Sequence, residues 1–523
     1  MINLNTAVTL KKMALRNLAR HKVKTLLTSA AVMVSVALFI FVRSLLLGVG
    51  IDSRRNIVNY ETGAAKLQSE LYFQNKDELP SYENFAGWED YAAALDAAGY
   101  DSAPRYVFSG TLYSTSGSAP VMFNAVDPAR DAHLLRYANW IETGRYIAPG
   151  KFELVLGAMA AEKLKVGIPA RLLQDELETG ILPLAADDEE RGFIASLYET
   201  QAGLKRQFMQ PEKEYEQQKT RLRLRRDISP AELSRCWDIL ARSGRNDVRI
   251  STVIDIKEGT AVRHVNQLID AVVVGVVNSP DPATNTNIGY IPLDALQDDA
   301  GMMLEGRVTE LLIRQKGAKD AVLPGAFESP KAISAVLNAA LGGAGSGAAR
   351  SVLEGSGLAV HGYLEYADDF LGAESMENGS NTALTGLLFL LSLLAISGTM
   401  LMAILERTKE TGMMRAMGMT DSGVIAVYVL EAGFLGLAGS ILGIIVGCAI
   451  NLPMVEYGLD LSSMIGAMGG SWGFRITGVM RSTWSAGLIA GTGITATALS
   501  ALVSILPIRR ALRMEITQSL RFE

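Results

Sequence analysis

Four long apolar runs divide this 523-residue chain, and the charged residues gather between them. The runs lie at 25–50, 383–405, 424–450 and 486–506, and the apolar residues of the first are concentrated from 25 to 47. An α-helix rises about 1.5 Å per residue, so roughly 20 apolar residues cross the hydrocarbon core of a bilayer. The pattern predicts an α-helical membrane protein with four transmembrane helices.

Lysine and arginine are distributed unevenly around these predicted spans. They cluster before the first span, between the second and third, and after the fourth, whereas the loop between the third and fourth has Arg475 and Arg481 alone. Short basic loops stay on the cytoplasmic side of a membrane. We therefore expect 1–24, 406–423 and 507–523 to be cytoplasmic, with 51–382 and 451–485 extracytoplasmic.

The residues before the first span have a helical pattern of their own. Leu10, Met13, Ala14 and Leu18 recur at spacings of three and four, and lysines and arginines occupy the other faces. This pattern predicts an amphipathic helix within 1–24 that lies on the inner membrane surface and contacts anionic lipid headgroups. A simple basic flank would explain the charges equally well, but it would not explain the periodicity.

The long segment between the first two spans mixes β-branched or aromatic runs with helical patterns, which predicts a large α+β extracytoplasmic domain. Its strands are predicted at 65–73, 105–113, 271–277 and 308–314. Its helices are predicted at 158–165 and 330–341.

A charged stretch at about 167–249 interrupts this domain. Glu, Lys, Arg and Gln are dense there and β-branched residues are few, so we expect a charged helical insertion. The run 212–226 favours a solvated helix. Ser229 and Glu232 form a capping-box pattern with Pro230 at the first helical position, which begins another helix. The insertion either contacts a partner or a substrate, or it is a solvated helical excursion.

Composition and motifs narrow the functional classes. A net charge of −6 spread over a long chain does not suggest a nucleic-acid partner. Two cysteines and four widely separated histidines show no metal-ligand spacing, and no phosphate-binding motif or nucleophile–base arrangement occurs. We expect no catalytic residue, metal or cofactor, so the chain is not predicted to be an enzyme.

Glycines recur at four-residue spacing in the last two predicted spans, where they give each helix a face that another helix can approach closely. These predicted helix-packing residues are Gly439, Gly443, Gly447, Gly487 and Gly491. The packing is either within one subunit or across a dimer interface.

Three segments together carry a family resemblance. Residues 14–25 are a basic stretch, Ala-Leu-Arg-Asn-Leu-Ala-Arg-His-Lys-Val-Lys-Thr, leading into the first span. Residues 406–418 are similar to the pattern E-R-x-x-E-[IV]-G-[IV]-x-[RK]-A-[LM]-G, with Thr411 in place of a branched aliphatic residue. The tail from 507 onward is similar to P-x-R-R-A-x-R followed by x-L-R. In this order they resemble the FtsX-like/MacB-like ABC transporter permease family, of the MacB and LolC/LolE type.

The resemblance implies that 406–418 is a coupling helix that docks on a separate cytoplasmic ABC ATPase. Its charged residues would form charge-assisted contacts and its methionines would offer an adaptable apolar surface. The implied ATPase-coupling residues are Glu406, Arg407, Lys409, Glu410, Met413, Met414, Arg415, Met417 and Gly418. Gly418 and Asp421 suit the end of one helix and the start of the next.

The resemblance also implies a bacterial inner-membrane permease that pairs with itself or a related permease, with a periplasmic or outer-membrane partner. Motion driven by the ATPase would reach the outer domain for lipoprotein release or efflux, a form of mechanotransmission. An alternative is an FtsX-like mechanical regulator of an extracytoplasmic cell-wall hydrolase. A membrane-anchored enzyme is a third hypothesis, which no motif supports.

Overall fold

The structure is a computed structural model that describes residues 22–200, 221–225, 227–258, 261–298, 306–341, 352–460 and 479–513. These residues form two compact units. A helical unit comprises the described parts of Met1–Asp52, Leu371–Met464 and Gly478–Glu523, and an α+β domain lies within Ser53–Phe370. Most of the predicted amphipathic helix and the end of the predicted cytoplasmic tail lie outside the described residues.

The helices differ greatly in length between the two units. In chain order they are α1 (Lys22–Asn56), α2 (Glu70–Gln74), α3 (Trp88–Ala97), α4 (Pro128–Leu134), α5 (Ala158–Leu164), α6 (Gln174–Glu176), α7 (Asp188–Ser196), α8 (Pro230–Arg242), α9 (Pro282–Asn285), α10 (Leu293–Asp298), α11 (Pro330–Leu341), α12 (Val352–Ser356), α13 (Asp368–Glu406), α14 (Thr408–Ala416), α15 (Asp421–Glu456) and α16 (Ala486–Ala511).

The strands fall almost entirely in the α+β domain. They are β1 (Ala65–Ser69), β2 (Phe85–Ala86), β3 (Tyr100–Ser114), β4 (Gly117–Val126), β5 (Ile141–Gly144), β6 (Glu153–Gly157), β7 (Arg171–Leu173), β8 (Tyr198–Thr200), β9 (Arg221–Leu224), β10 (Asp247–Glu258), β11 (Ala261–Val277), β12 (Ile288–Pro292), β13 (Arg307–Val308), β14 (Glu310–Gln315), β15 (Leu358–Gly362), β16 (Leu459–Asp460) and β17 (Val479–Met480).

The helical unit is built on α1, α13, α15 and α16, the four described helices that are long and apolar enough to cross a membrane. Each contains one of the predicted spans, which are confirmed as apolar helices. α13 begins well before the predicted span, at Asp368. The four helices share a buried cluster that includes Val36 from α1, Ile396 from α13, Leu435 from α15 and Ala496 from α16.

The α+β domain is built on a ten-stranded sheet with the order β10-β11-β6-β12-β4-β3-β14-β1-β15, with β5 paired to β11. Because β10 also pairs with β3, the strands β3, β4, β12, β6, β11 and β10 form a closed ring. Phe108 and Phe123 stack inside the main hydrophobic cluster with ring centroids 5.1 Å apart, and Leu154 packs with them. The sheet therefore supplies the domain's core.

Most predicted elements of this domain are confirmed. The predicted strands at 105–113, 271–277 and 308–314 fall on β3, β11 and β13 with β14, and both predicted helices are present as α5 and α11. The predicted strand at 65–73 is half right, because the chain turns into α2 at Glu70. Local alternation identified the strands, whereas the closed ring depends on pairing between strands far apart in sequence.

The expectation that 167–249 is a helical insertion is wrong in part. α7 and α8 are present, and the Ser229–Glu232 capping box begins α8 at Pro230 as predicted. However, β7, β9 and β8 form a separate three-stranded antiparallel sheet, and β9 falls within the run predicted as a solvated helix. Leu172, Tyr198 and Leu222 from this sheet are buried against the domain core. Burial of these apolar side chains overrides the helical preference of the charged residues around them.

Candidate functional site

The segment predicted to couple to an ATPase forms a distinct short helix, α14, between the two long helices α13 and α15. Arg407 separates α13 from α14 because its backbone (φ −107°, ψ 18°) is not helical. The Thr408 hydroxyl donates to the carbonyl oxygen of Leu405 at 2.8 Å and lies 3.2 Å from that of Ile404. These bonds satisfy carbonyls that the end of α13 would otherwise leave without partners.

Arg407 forms a buried ion pair with Glu431 on α15. Its Nη1 donates to Glu431 Oε2 at 3.3 Å and lies 3.4 Å from Oε1, and both side chains are less than a tenth exposed. Removing one member of a buried pair leaves a charge that is costly to keep out of water. The pair therefore ties the start of α14 firmly to the helix that follows it.

A second buried contact lies one turn further along α14. The hydroxyl groups of Thr411 and Tyr428 are 3.0 Å apart, and both residues are buried. Gly412 is buried beside Thr411. The residue that departs from the family pattern thus faces inward, where its hydroxyl group fits a polar partner that a branched aliphatic residue would not satisfy.

The turn after α14 is closed by a glycine and an ion pair. Gly418 has φ +94°, a backbone region that favours glycine, and the Met419 N–H donates to the carbonyl of Met414 at 3.0 Å. Arg415 Nε lies 3.0 Å from Asp421 Oδ1. α15 begins at Asp421 as predicted, although its N-cap is Thr420, whose hydroxyl accepts from the Gly423 N–H at 3.3 Å.

The remaining predicted residues form the outward face of the segment. Met413 is 48% exposed and Met417 is 81% exposed, and Lys409 and Glu410 are also exposed. Glu406 and Gly418 lie at the exposed ends, and Met414 is half-buried. We call Lys409, Glu410 and Met413 of α14, together with Met417 directly after it, the exposed face of α14. It combines two opposite charges with two flexible apolar side chains, a composition suited to binding another protein.

The predicted glycine faces have different environments. A Cβ atom built at Gly443 would lie 2.7 Å from Val36 Cβ, and one at Gly439 would lie 2.7 Å from Val32 Cβ. A Cβ built at Gly447 would lie 3.1 Å from the Cα of Ala37 on α1. These three glycines therefore let α15 pack directly on α1 within one chain.

The two glycines of α16 are open by comparison. Cβ atoms built at Gly487 or Gly491 meet no described atom within 4 Å. Gly436, which the four-residue spacing did not single out, packs tightly instead, with Ser500 Cβ only 2.5 Å from a built Cβ. Gly436 lies three residues before Gly439, a helical spacing from which its role in helix packing could have been predicted.

Sequence reasoning missed Glu431, Tyr428 and Thr420 as parts of this site. Arg407 and Glu431 are 24 residues apart, and the sequence does not give the geometry with which their two helices meet. A usable signal was present, because an acidic residue inside an apolar span needs a nearby basic partner. Arg407 is the basic residue next to the preceding span.

Comparisons with known proteins give matches to part of the chain. Residues 382–516 match the family model described as FtsX-like permease C-terminal. The uncharacterized ABC transporter permease MJ1507 of Methanocaldococcus jannaschii is 33% identical over 102 residues, which cover 20% of this chain and 25% of that protein. The ABC transporter permease YtrF of Bacillus subtilis is 25% identical over 135 residues, which cover 26% of this chain and 30% of that protein. The matches thus span less than a third of either relative.

One solved structure has a limited similarity to part of this chain. It is the extracellular domain of the noncanonic ABC-type transporter YknZ from Gram-positive bacteria, which aligns over 53% of this chain and 95% of its own length. The sequence identity is 12% and the TM-score is 0.25.

Proposed function

We propose that this membrane protein, whose residues 382–516 are an FtsX-like permease domain, is the permease subunit of a MacB/FtsX-type ABC transporter. It acts with a separate cytoplasmic ABC ATPase that docks on α14, as the resemblance of residues 406–418 implies. It lies in the bacterial inner membrane with both termini in the cytoplasm, in accordance with the positions of its lysines and arginines.

The observation that carries this proposal is the two-sided construction of α14. The exposed face is available to a protein partner, while the opposite side is held by the Arg407–Glu431 ion pair and the Thr411–Tyr428 contact. A force applied to the exposed face would thus move α13 and α15 together with α14. A loop that merely connected two helices would not need two buried polar contacts.

α13 is the element that carries the movement away from the ATPase. Its 39 residues make a helix about 58 Å long at about 1.5 Å per residue, well beyond the roughly 30 Å of a bilayer's hydrocarbon core. ATP-driven closure of two ATPase subunits would displace α14, and continuous helical backbone would transmit this displacement to the extracytoplasmic domain. The α+β domain then acts on a substrate outside the membrane, in lipoprotein release or efflux.

The permease works as a homodimer or as a heterodimer with a related permease, so that two copies of α14 meet two ATPase subunits. Gly487 and Gly491 on α16 are the residues that we assign to contacts between the two permeases. This assignment rests on the fact that a Cβ built at either residue meets no described atom within 4 Å, in contrast to the closely packed Gly439 and Gly443.

Co-purification of the tagged full-length chain from its own host tests the assignment of partners. We expect an ATPase with Walker motifs to be recovered with it. Recovery of a cell-wall hydrolase in addition would favour the alternative role as a mechanical regulator. If no nucleotide-hydrolysing protein is recovered under conditions that keep the permease folded, the proposal is contradicted.

Variants of the exposed face test where the ATPase binds. Met413→Glu with Met417→Glu, or Lys409→Glu with Glu410→Lys, should weaken ATPase binding by at least about tenfold, as expected when central contacts of an interface are lost. Lys319→Glu is a matched control, because Lys319 is exposed but lies in the α+β domain. Unchanged binding by both double variants would show that α14 is not the docking element.

A further inference from the structure

A cavity of about 230 Å³ lies within the α+β domain, away from the exposed face of α14. It opens against the polar side of the central sheet, where Lys66 on β1, Arg105 on β3 and Glu310 on β14 belong to adjacent strands. Tyr72 and Tyr366 also line its wall. The proposed coupling mechanism assigns these side chains no role.

The lining carries more negative than positive charge. Five lining residues are acidic and three are basic. The acidic residues are Glu61, Asp77, Glu310, Asp368 and Asp369, and the basic residues are Lys66, Lys76 and Arg105. Each basic group already has an acidic partner. Lys66 lies 2.8 Å from Glu310, Lys76 lies 2.6 Å from Asp368, and Arg105 lies 2.9 Å from Asp131, which is outside the cavity wall. The surplus charge therefore favours a cation over an anion.

Two oxygen atoms at the wall lack hydrogen-bond partners among the described residues. Glu310 is only 3% exposed, and its Oε2 binds Lys66 while its Oε1 receives no hydrogen bond. The hydroxyl group of Tyr366 is likewise buried without a partner. A buried oxygen without a donor costs about 1–3 kcal/mol, more when the group is charged. These atoms thus offer a ready site for N–H donors.

The aromatic side chains around the cavity already accommodate positive charge. Lys66 Nζ lies 4.6 Å from the centre of the Tyr366 ring, and Arg105 Cζ lies 5.9 Å from that of Tyr290. The face of an aromatic ring attracts cations through its quadrupole. Burial raises the pKa of Tyr366, so its hydroxyl group stays neutral near pH 7 and accepts a hydrogen bond.

We propose that this cavity binds a small organic ammonium ion, whose N–H groups donate to Glu310 Oε1 and the Tyr366 hydroxyl oxygen. The volume is below the range of about 300–1,000 Å³ that is typical of drug-sized ligands, which limits the ligand to a few carbon atoms. No cluster of three metal-ligating side chains occurs among the residues that the structure describes, so a bare metal ion fits less well. The site is independent of the role proposed for α14.

Calorimetric titration of the full-length chain in detergent micelles tests this site directly. The probe is 1,4-diaminobutane, which is cationic at neutral pH, and 1,4-butanediol is its uncharged counterpart. We expect saturable binding of the diamine and none of the diol. If the diamine gives no saturable heat up to about 10 mM, the limit of weak but specific binding, or if both compounds bind equally, the proposal is overturned.

Single substitutions locate the bound cation. Tyr366→Phe keeps the ring and removes the hydroxyl group, and it should weaken diamine binding by about tenfold, as for loss of a hydrogen bond to a charged group. Glu310→Gln should have at least the same effect. Asp270→Asn is the control, because Asp270 is an exposed carboxylate on β11 whose loss should leave binding unchanged.

Glu310 also neutralises the buried Lys66, so Glu310→Gln could prevent folding. In that case the diamine affinity of Tyr366→Phe alone tests the proposed site. Equal diamine affinity in Tyr366→Phe and the unmodified chain would contradict the proposed site. Equal loss in the Asp270→Asn control would contradict it too, since the effect would then be one of general charge.

Discussion

At the scale of single residues, the buried ion pair between Arg407 and Glu431 decides how α14 is held. Both side chains lie almost completely out of solvent, at the junction of two apolar helices. A buried pair adds little net stability compared with well-packed apolar residues, yet losing one member is expensive. Its value at this position lies in fixing one geometry for the segment.

Arg407→Ala removes the guanidinium group and leaves the Glu431 carboxylate without it. We expect the chain to lose about 3 kcal/mol of stability, the lower end of the cost of breaking a buried pair. The measurement is the midpoint of thermal unfolding of the purified chain in detergent. Lys409→Ala, two residues away on the exposed face, should leave the midpoint unchanged.

The double variant Arg407→Gln with Glu431→Gln separates charge from packing. It removes both charges and keeps two groups able to hydrogen bond, so it should be more stable than Arg407→Ala. A double variant that unfolds at the same temperature as the single one would show that the contact acts through shape and not through charge.

Some of these residue roles follow from sequence and others do not. The stretch 406–418 stands out because charged residues, methionines and a glycine follow directly after an apolar run. Which of its members face inward depends on Glu431 and Tyr428, which lie on the next helix. The acidic residue inside the third span indicates that a basic partner lies nearby, but the sequence does not specify the contact geometry, which places Arg407 inward and Lys409 outward.

At the scale of elements, glycines control how closely α15 approaches its neighbours. Gly439 and Gly443 bring its backbone against α1, and Gly436 brings it against Ser500 of α16. Between helices in a membrane, such close approach replaces the hydrophobic effect as the source of association. The four-residue spacing in the sequence predicts this face but not which helix packs on it.

Leucine substitutions at matched glycines test whether Gly443 lets α15 pack on α1 within one chain. Gly443→Leu should markedly lower the unfolding midpoint in detergent, because even its Cβ would lie 2.8 Å from the Met33 carbonyl oxygen. Gly491→Leu should leave the midpoint of the single chain nearly unchanged, because nothing described lies within 4 Å of its Cβ. Equal destabilisation by the two variants would contradict the assignment of Gly443 to packing within one chain.

The charged insertion shows where prediction from local pattern fails. The capping box at Ser229 acts within four residues, so the start of α8 is readable from the sequence. The small sheet pairs Leu172 on β7 with Leu222 on β9, fifty positions away, across a highly charged stretch. Strand pairing at that separation leaves only a weak local signal, whereas the dense charge favours the wrong structure.

At the scale of the whole molecule, the family model matches only the C-terminal part of the chain, at residues 382–516, and leaves the α+β domain unmatched. The FtsX-like match takes in α14 and the three apolar helices around it, and it confirms the resemblance of residues 406–418. The architecture of the α+β domain is therefore described from its ten-stranded sheet and its hydrophobic core. The helix α13, at about 58 Å, is longer than the roughly 30 Å of a bilayer's hydrocarbon core, which is why we propose it as the element that transmits movement.

In the proposed mechanism, energy enters at α14 on the cytoplasmic side and is used by the α+β domain on the other side of the membrane. The most direct test labels single cysteines in intact cells with a membrane-impermeant maleimide, in a chain that carries Cys236→Ser and Cys448→Ser. Met417→Cys reports on α14 and Leu268→Cys on the α+β domain, and both positions are well exposed. The account predicts labelling at position 268 in intact cells and at position 417 only after the membrane is opened. Labelling of both positions from the same side would contradict it.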